Sequence, residues 1–113
     1  GNSAEEKTIE FVVESELAMM KILNYPNPFS SGTKFTYHLT RDVDEVTIKV
    51  YTVAGELVKT IDFASSHVGY NEEEWDGIND YGEELANGTY PYKITVKLGD
   101  EKVSKIQMLT VLK

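Results

Sequence analysis

The stretch Trp75–Ile94, WDGINDYGEELANGTYPYKI, decides the fold. It opens on an aromatic that ends one strand, passes through a loop rich in Asp, Asn and Gly, and enters a second strand of strict alternation. Tyr90, Tyr92, Ile94, Val96 and Leu98 take one face while Pro91, Lys93, Thr95 and Lys97 take the other, the period of two that a half-buried strand requires. Between the strands, Asp76-Gly77, Asn79-Asp80, Gly82 and Asn87-Gly88 supply positive φ and short side chains that bond their own backbone. The chain is expected to reverse there, with Asn87-Gly88 as a hairpin signal.

Working outward, Gly69–Trp75 is the strand that leads into this stretch, and its run Glu72, Glu73, Glu74 reads as a solvated acidic edge that discourages pairing. Before it, Val46, Ile48 and Val50 alternate with Thr47, Lys49 and Tyr51, and Ala54-Gly55-Glu56 turns the chain into Leu57–Phe63, a predicted hairpin. Ala64–Val68 reads as a loop. Phe35, Tyr37 and Leu39 alternate with Lys34, Thr36 and His38 in an earlier strand. That strand follows Pro26-Asn27-Pro28-Phe29, where two prolines fix φ and make a rigid loop with an aromatic anchor. Lys21–Tyr25 is a brief extended piece, Ser15–Met20 does not choose between periods, and Thr8–Glu14 alternates as a first strand. After the Gly99-Asp100 turn, the last strand runs from about Lys102 to Leu112. There Val103, Leu109 and Val111 share one phase and Ile106 and Met108 the other, a slip that reads as a bulge. Seven or eight short strands at spacings of about 8 to 12 residues, with no long helix, predict an all-β, immunoglobulin-like antiparallel β-sandwich. Residues 1–21 are expected to be an N-terminal tail with a first strand at the end of a preceding linker, and residues 22–113 the sandwich module.

A chain of 113 residues fits one domain. With no cysteine, disulfides, thiolate metal sites and cysteine nucleophiles are out. The formal charge of -8 and a single arginine, Arg41, disfavour nucleic acid, which needs clustered cations. No run approaches the roughly 20 apolar residues of a membrane span. The opening Gly1-Asn2-Ser3, without an initiating methionine, reads as the start of a fragment of a longer protein.

Catalysis needs convergent groups of matched pKa, and none declares itself. His38 sits on a polar strand face and His67 in a loop, each read as a surface residue. A carboxylate pair from Glu72, Glu73, Glu74 and Asp76 would need a set separation across a cleft that the run does not supply. Asp76, Asn79, Asp80 and Glu84 could offer calcium oxygen ligands, but Ile78 and Tyr81 stand where an EF-hand loop wants a ligand and a glycine, so Asx turns outweigh calcium. Tyr70, Trp75, Tyr81, Tyr90 and Tyr92 would stack a glycan if exposed together, and otherwise pack core and sheet.

The run FTYHLTRDVDEVTIKVYTVAGELVKTI, followed by WDGINDYGEELANGTYPYKI, resembles the immunoglobulin-like domain of the flagellar hook-capping protein. With the YPNPF entry at Tyr25–Phe29 and the lysine-bearing last strand, it is also similar to the C-terminal modules of type IX secretion substrates and gingipain-like peptidases. The resemblance covers about residues 22 to 113 and marks Pro26, Pro28, Gly55, Trp75, Asp76, Gly77, Asp80, Gly82, Gly88 and Tyr90 as fold determinants. It implies a non-catalytic module of a larger exported bacterial protein, secreted or at the cell surface and associated with the outer membrane. Such a module needs no cofactor and acts in sorting or attachment through secretion or surface-anchoring machinery, with Lys102, Lys105 and Lys113 on the strand that meets the partner. The alternative is a carbohydrate-binding or adhesive accessory domain of a secreted hydrolase.

Overall fold

The computed structural model describes residues 16–113. The strand expected over Thr8–Glu14 lies outside the described residues. Seven strands follow: β1 Met19–Tyr25, β2 Thr33–Leu39, β3 Glu45–Tyr51, β4 Leu57–Phe63, β5 Gly69–Trp75, β6 Gly88–Leu98 and β7 Glu101–Val111. They form two antiparallel sheets, one of three strands in the order β1-β2-β5 and one of four in the order β4-β3-β6-β7.

Alternation builds the core between the sheets. Val46, Ile48 and Val50 of β3, Tyr92, Ile94 and Val96 of β6, and Phe35, Tyr37 and Leu39 of β2 all turn inward and are buried. Around Phe35 the rings gather, with Tyr92 at 4.9 Å and Trp75 stacked at 5.9 Å, while Phe29 meets Trp75 edge-on at 5.9 Å. Aromatic pairs of this kind add about 0.5–1.5 kcal/mol each beyond the area they bury. The core reaches back to Leu17; the Thr40 amide donates to the Ala18 carbonyl and the Ala18 amide to Thr40 Oγ1, so the undecided segment before β1 is held beside the end of β2. The hairpin expected between β3 and β4 forms, with Gly55 at φ 93° in its turn.

Two expectations are corrected. Asn87-Gly88 does not close a hairpin, because β5 and β6 belong to different sheets. The loop from Asp76 to Asn87 instead carries the chain across the sandwich, a path that local turn chemistry cannot distinguish from a reversal. β7 has no bulge: it pairs with β6 in one register from Gly88↔Val111 to Leu98↔Glu101. Ile106 and Met108 lie in the outward phase and are 66% and 49% exposed, so they are apolar residues on the wet face rather than signs of a slip. The register shifts fall elsewhere, between Met20 and Leu23, where Lys21 has φ 55°, and between Val50 and Tyr51.

Candidate functional site

The site begins with β7, because an edge strand leaves one row of backbone groups unpaired by its own sheet. The segment after β1 covers part of that row. Phe29 donates its amide to the Thr110 carbonyl at 3.0 Å, and Leu112 donates to the Phe29 carbonyl at 2.9 Å. The Asn27 side chain extends the pairing: its Oδ1 accepts from the Thr110 amide at 3.0 Å and its Nδ2 donates to the Met108 carbonyl at 3.3 Å. Asn27 is held in turn by Asn24, which also donates to Thr33 Oγ1 and the Pro26 carbonyl. Pro26 and Pro28 thus frame a strap that seals the end of β7.

Since both backbone groups of Thr110 point outward, so do those of Ser104, Ile106 and Lys102, two residues apart along an antiparallel strand. Among the described residues nothing pairs with this stretch. The three candidate lysines therefore separate. Lys102 stands on the outer face and Lys105 in the inward phase beyond the packed core, both exposed. Lys113 is tied down, its amide donating to Asn87 Oδ1 at 2.9 Å and its Nζ to Glu84 Oε1 at 3.0 Å.

The Asp76–Asn87 loop spends its oxygens on itself. Asp76 Oδ1 accepts from Ile78, and Asn79 Oδ1 from Tyr81 and Glu83. Asp80 reaches the Thr60 amide and lies 3.3 Å from Lys59, while its own amide donates to the Val58 carbonyl. The Asx turns are formed, and with Asp80 they pad the edge of β4. Trp75 donates its ring N–H to the Ile78 carbonyl at 3.0 Å, and Leu85 is buried beneath. Gly77 has φ 78°, and a Cβ there would stand 3.1 Å from the Phe29 ring. Gly82 turns the loop tip and Gly88 opens β6, where Tyr90 bonds the Ala86 carbonyl.

The aromatic platform does not assemble. Trp75 and Tyr92 are buried, Tyr70 lies on the outer face of the three-stranded sheet, and Tyr81 sits at the loop tip, 86% exposed. His38 meets Tyr70 edge-on at 5.3 Å on that same outer face. His67 is exposed in its loop.

One polar cluster escaped the sequence. Glu73 is not part of a solvated edge, because it shares the inward phase of Asn71 and Trp75. Its Oε2 accepts from the Tyr37 hydroxyl at 3.0 Å, and that hydroxyl also lies 2.8 Å from Ser66 Oγ. Burial pushes the Glu73 carboxyl above its ordinary value, while hydrogen bonds from Tyr37 and Ser66 hold it back. Burial likewise raises Tyr37. A tyrosine in the inward phase of β2 needs a partner for its hydroxyl, and that requirement was the signal available. Through these bonds the cluster ties the loop at Ser66 to β2 and β5. No helix among the described residues is long and apolar enough to cross a membrane.

Seven antiparallel strands in two facing sheets, joined by a crossing loop and a strap, define an immunoglobulin-like β-sandwich module. The FlgD Ig-like domain matches residues 26–100, and the chain belongs to that family. No curated protein sequence matches it. Among solved structures, dimeric latent PorU from Porphyromonas gingivalis is similar with TM-score 0.73 and 22% identity, over 86% of this chain and 9% of that one. FlgD from P. aeruginosa has TM-score 0.61 and 21% identity, over 72% of this chain and 65% of that one. PorZ, a surface component of the type IX secretion system of P. gingivalis, has TM-score 0.50 and 20% identity, over 81% of this chain and 11% of that one. These likenesses are of fold. The chain spans about a tenth of PorU and PorZ and about two thirds of FlgD.

Proposed function

We propose that this domain is a non-catalytic recognition module of a larger exported bacterial protein, engaged by secretion or surface-anchoring machinery through the open length of β7. The observation that carries the reading is the half-sealed edge. Met108–Leu112 is closed by the strap, while the outward backbone groups of Lys102, Ser104 and Ile106 have no partner among the described residues. An extended segment of a partner can add there through main-chain bonds, with side chains such as Lys102 and Lys105 setting its identity. The fold shared with PorU and PorZ supports a setting in type IX secretion, and with it a secreted or surface location at the outer membrane.

The test is export of a reporter fused to residues 1–113 in a host with and without a type IX apparatus. Deleting Lys102–Lys113 is a poor control because Leu109 and Val111 are core residues. Ser104→Pro is better: it removes an outward donor and leaves the β6 ladder intact, since proline is tolerated where its N–H would face away from the sheet. Export that requires the apparatus and falls with Ser104→Pro is the expected result. Equal export in both hosts, or a fully exported Ser104→Pro fusion, overturns the reading.

A further inference from the structure

A second surface lies on the outer face of the four-stranded sheet. Register places its side chains in rows. Thr60, Lys49, Lys93 and Ile106 form one row across β4, β3, β6 and β7, with Met108 opposite Pro91 beside it. The next row is Asp62, Thr47, Thr95 and Ser104, joined by bonds from Thr47 to Asp62 at 2.9 Å and between Thr95 and Ser104 at 2.9 Å. The third is Glu45, Lys97 and Lys102, in which Glu45 and Lys97 are paired at 3.4 Å.

The first row is unusual for this chain. Like charges directly opposite on neighbouring strands repel and destabilise the sheet. Lys49 and Lys93 are directly opposite, and neither has an ion pair among the described residues, although the chain carries 19 acidic residues. Four lysines share this face with Glu45 and Asp62, so it is locally positive on a chain of net charge -8. A solvated face of an acidic protein gains nothing from such a pair. Beside it stand Ile106 and Met108, both exposed, and the open edge of β7 continues directly from them.

We propose that Lys49, Lys93, Ile106 and Met108 form a docking surface for an extended acidic segment of a partner protein whose docking face, made of every second residue, carries carboxylates followed by apolar side chains. Carboxylates meet the two ammonium groups and relieve their repulsion. The apolar side chains cover Ile106 and the adaptable Met108. An extended chain repeats its side chains on one face every two residues, the same interval that separates Ile106 from Met108. An anionic lipid surface fits less well, because Glu45 and Asp62 stand within the same face and would be repelled by it. This surface is independent of whether the module directs export, and its test is made in solution.

The experiment is an NMR titration of the full chain with a short synthetic peptide whose every second residue runs glutamate, glutamate, leucine, leucine with serine between, beside the same peptide with lysine for glutamate and phosphatidylglycerol vesicles. Saturable shifts are expected at the amides of Lys49, Lys93, Ile106 and Met108 with the acidic peptide alone, weakening as salt is raised. The double variant Lys49→Glu/Lys93→Glu should weaken binding by about tenfold or more, as expected when attraction becomes repulsion. Each single variant, Lys49→Glu or Lys93→Glu, should melt above the parent in the absence of peptide, which shows that the fold is intact and that the pair was repulsive. Ile106→Ser should weaken binding without changing its salt dependence. Shifts scattered over the surface, binding unaffected by the double variant, or the same shifts produced by vesicles and not by peptide would overturn the proposal.

Discussion

Replacing Asn27 with alanine unseals the end of β7, and the cost follows from the bonds it makes. The side chain accepts from the Thr110 amide at 3.0 Å, donates to the Met108 carbonyl at 3.3 Å and donates to Asn24 Oδ1 at 3.2 Å. Each hydrogen bond contributes about 0.5–1.5 kcal/mol net, and the exposed ones fall toward the lower end because water replaces the lost partner. Two exposed bonds and one partly buried bond give about 2 kcal/mol. A domain of this size loses about 4–8 °C of Tm per kcal/mol, so Asn27→Ala should melt roughly 10 °C below the parent. Calorimetry measures that shift, and amide exchange locates it. The Thr110 amide should exchange faster, while the Val111 amide, which points toward β6, should change only as much as global stability does. Asn27→Asp separates the two bonds to β7, since it keeps the acceptor for Thr110 and removes the donor to Met108. A Tm within about 2 °C of the parent, with Thr110 exchange unchanged, would refute the strap as a structural seal.

Gly77→Ala forces a side chain into left-handed backbone and against the Phe29 ring, so it should cost at least about 1–2 kcal/mol, read as a lowered urea midpoint. Tyr92 has a buried hydroxyl with no partner among the described residues, so Tyr92→Phe should stabilise the domain by about 1 kcal/mol in the same assay. Glu73 gives a pH dependence whose sign is fixed by its raised carboxyl. The folded chain holds that proton more tightly than the unfolded chain does. The resulting stability is therefore full below the ordinary value of 4.5 and is lost as pH rises through the folded value. Glu73→Gln should flatten that decline in a series of urea melts across pH, whereas Tyr37→Phe, which removes a bond that lowers Glu73, should extend it to higher pH.

Strand phase was legible wherever one face of a strand meets the core. Tyr92, Ile94 and Val96, or Val46, Ile48 and Val50, can take only one orientation once one of their number is buried. The β3–β4 turn at Gly55 was legible from its own turn chemistry. What stayed hidden depends on partners far along the chain. The prolines at 26 and 28 declare a rigid segment, but nothing near them says that Asn27 and Phe29 will meet Met108 and Thr110. Asn87-Gly88 has turn chemistry and still serves a crossing, because a loop from Asp76 to Asn87 is long enough to change sheets. Ile106 and Met108 misled because apolar character was equated with the inward phase. Glu73 misled in the opposite way, as one of three adjacent glutamates whose pleat alternates in and out. Of the three candidate lysines, sequence alone could not show that Lys113 is occupied by Glu84 and Asn87.

The strap also sets an order of events during synthesis. Asn27 and Phe29 emerge early, yet their partners on β7 lie more than 80 positions later, with Thr110 following Asn27 by 83. Pairings so distant in sequence make folding slow, on the scale of milliseconds to seconds. Until the ribosome has delivered Leu112, the N-terminal side of the module has no edge to close on and the sandwich stays unsealed. The strap cannot close before residues 108–112 have been made, and it therefore acts as a late clasp on this module of the nascent chain.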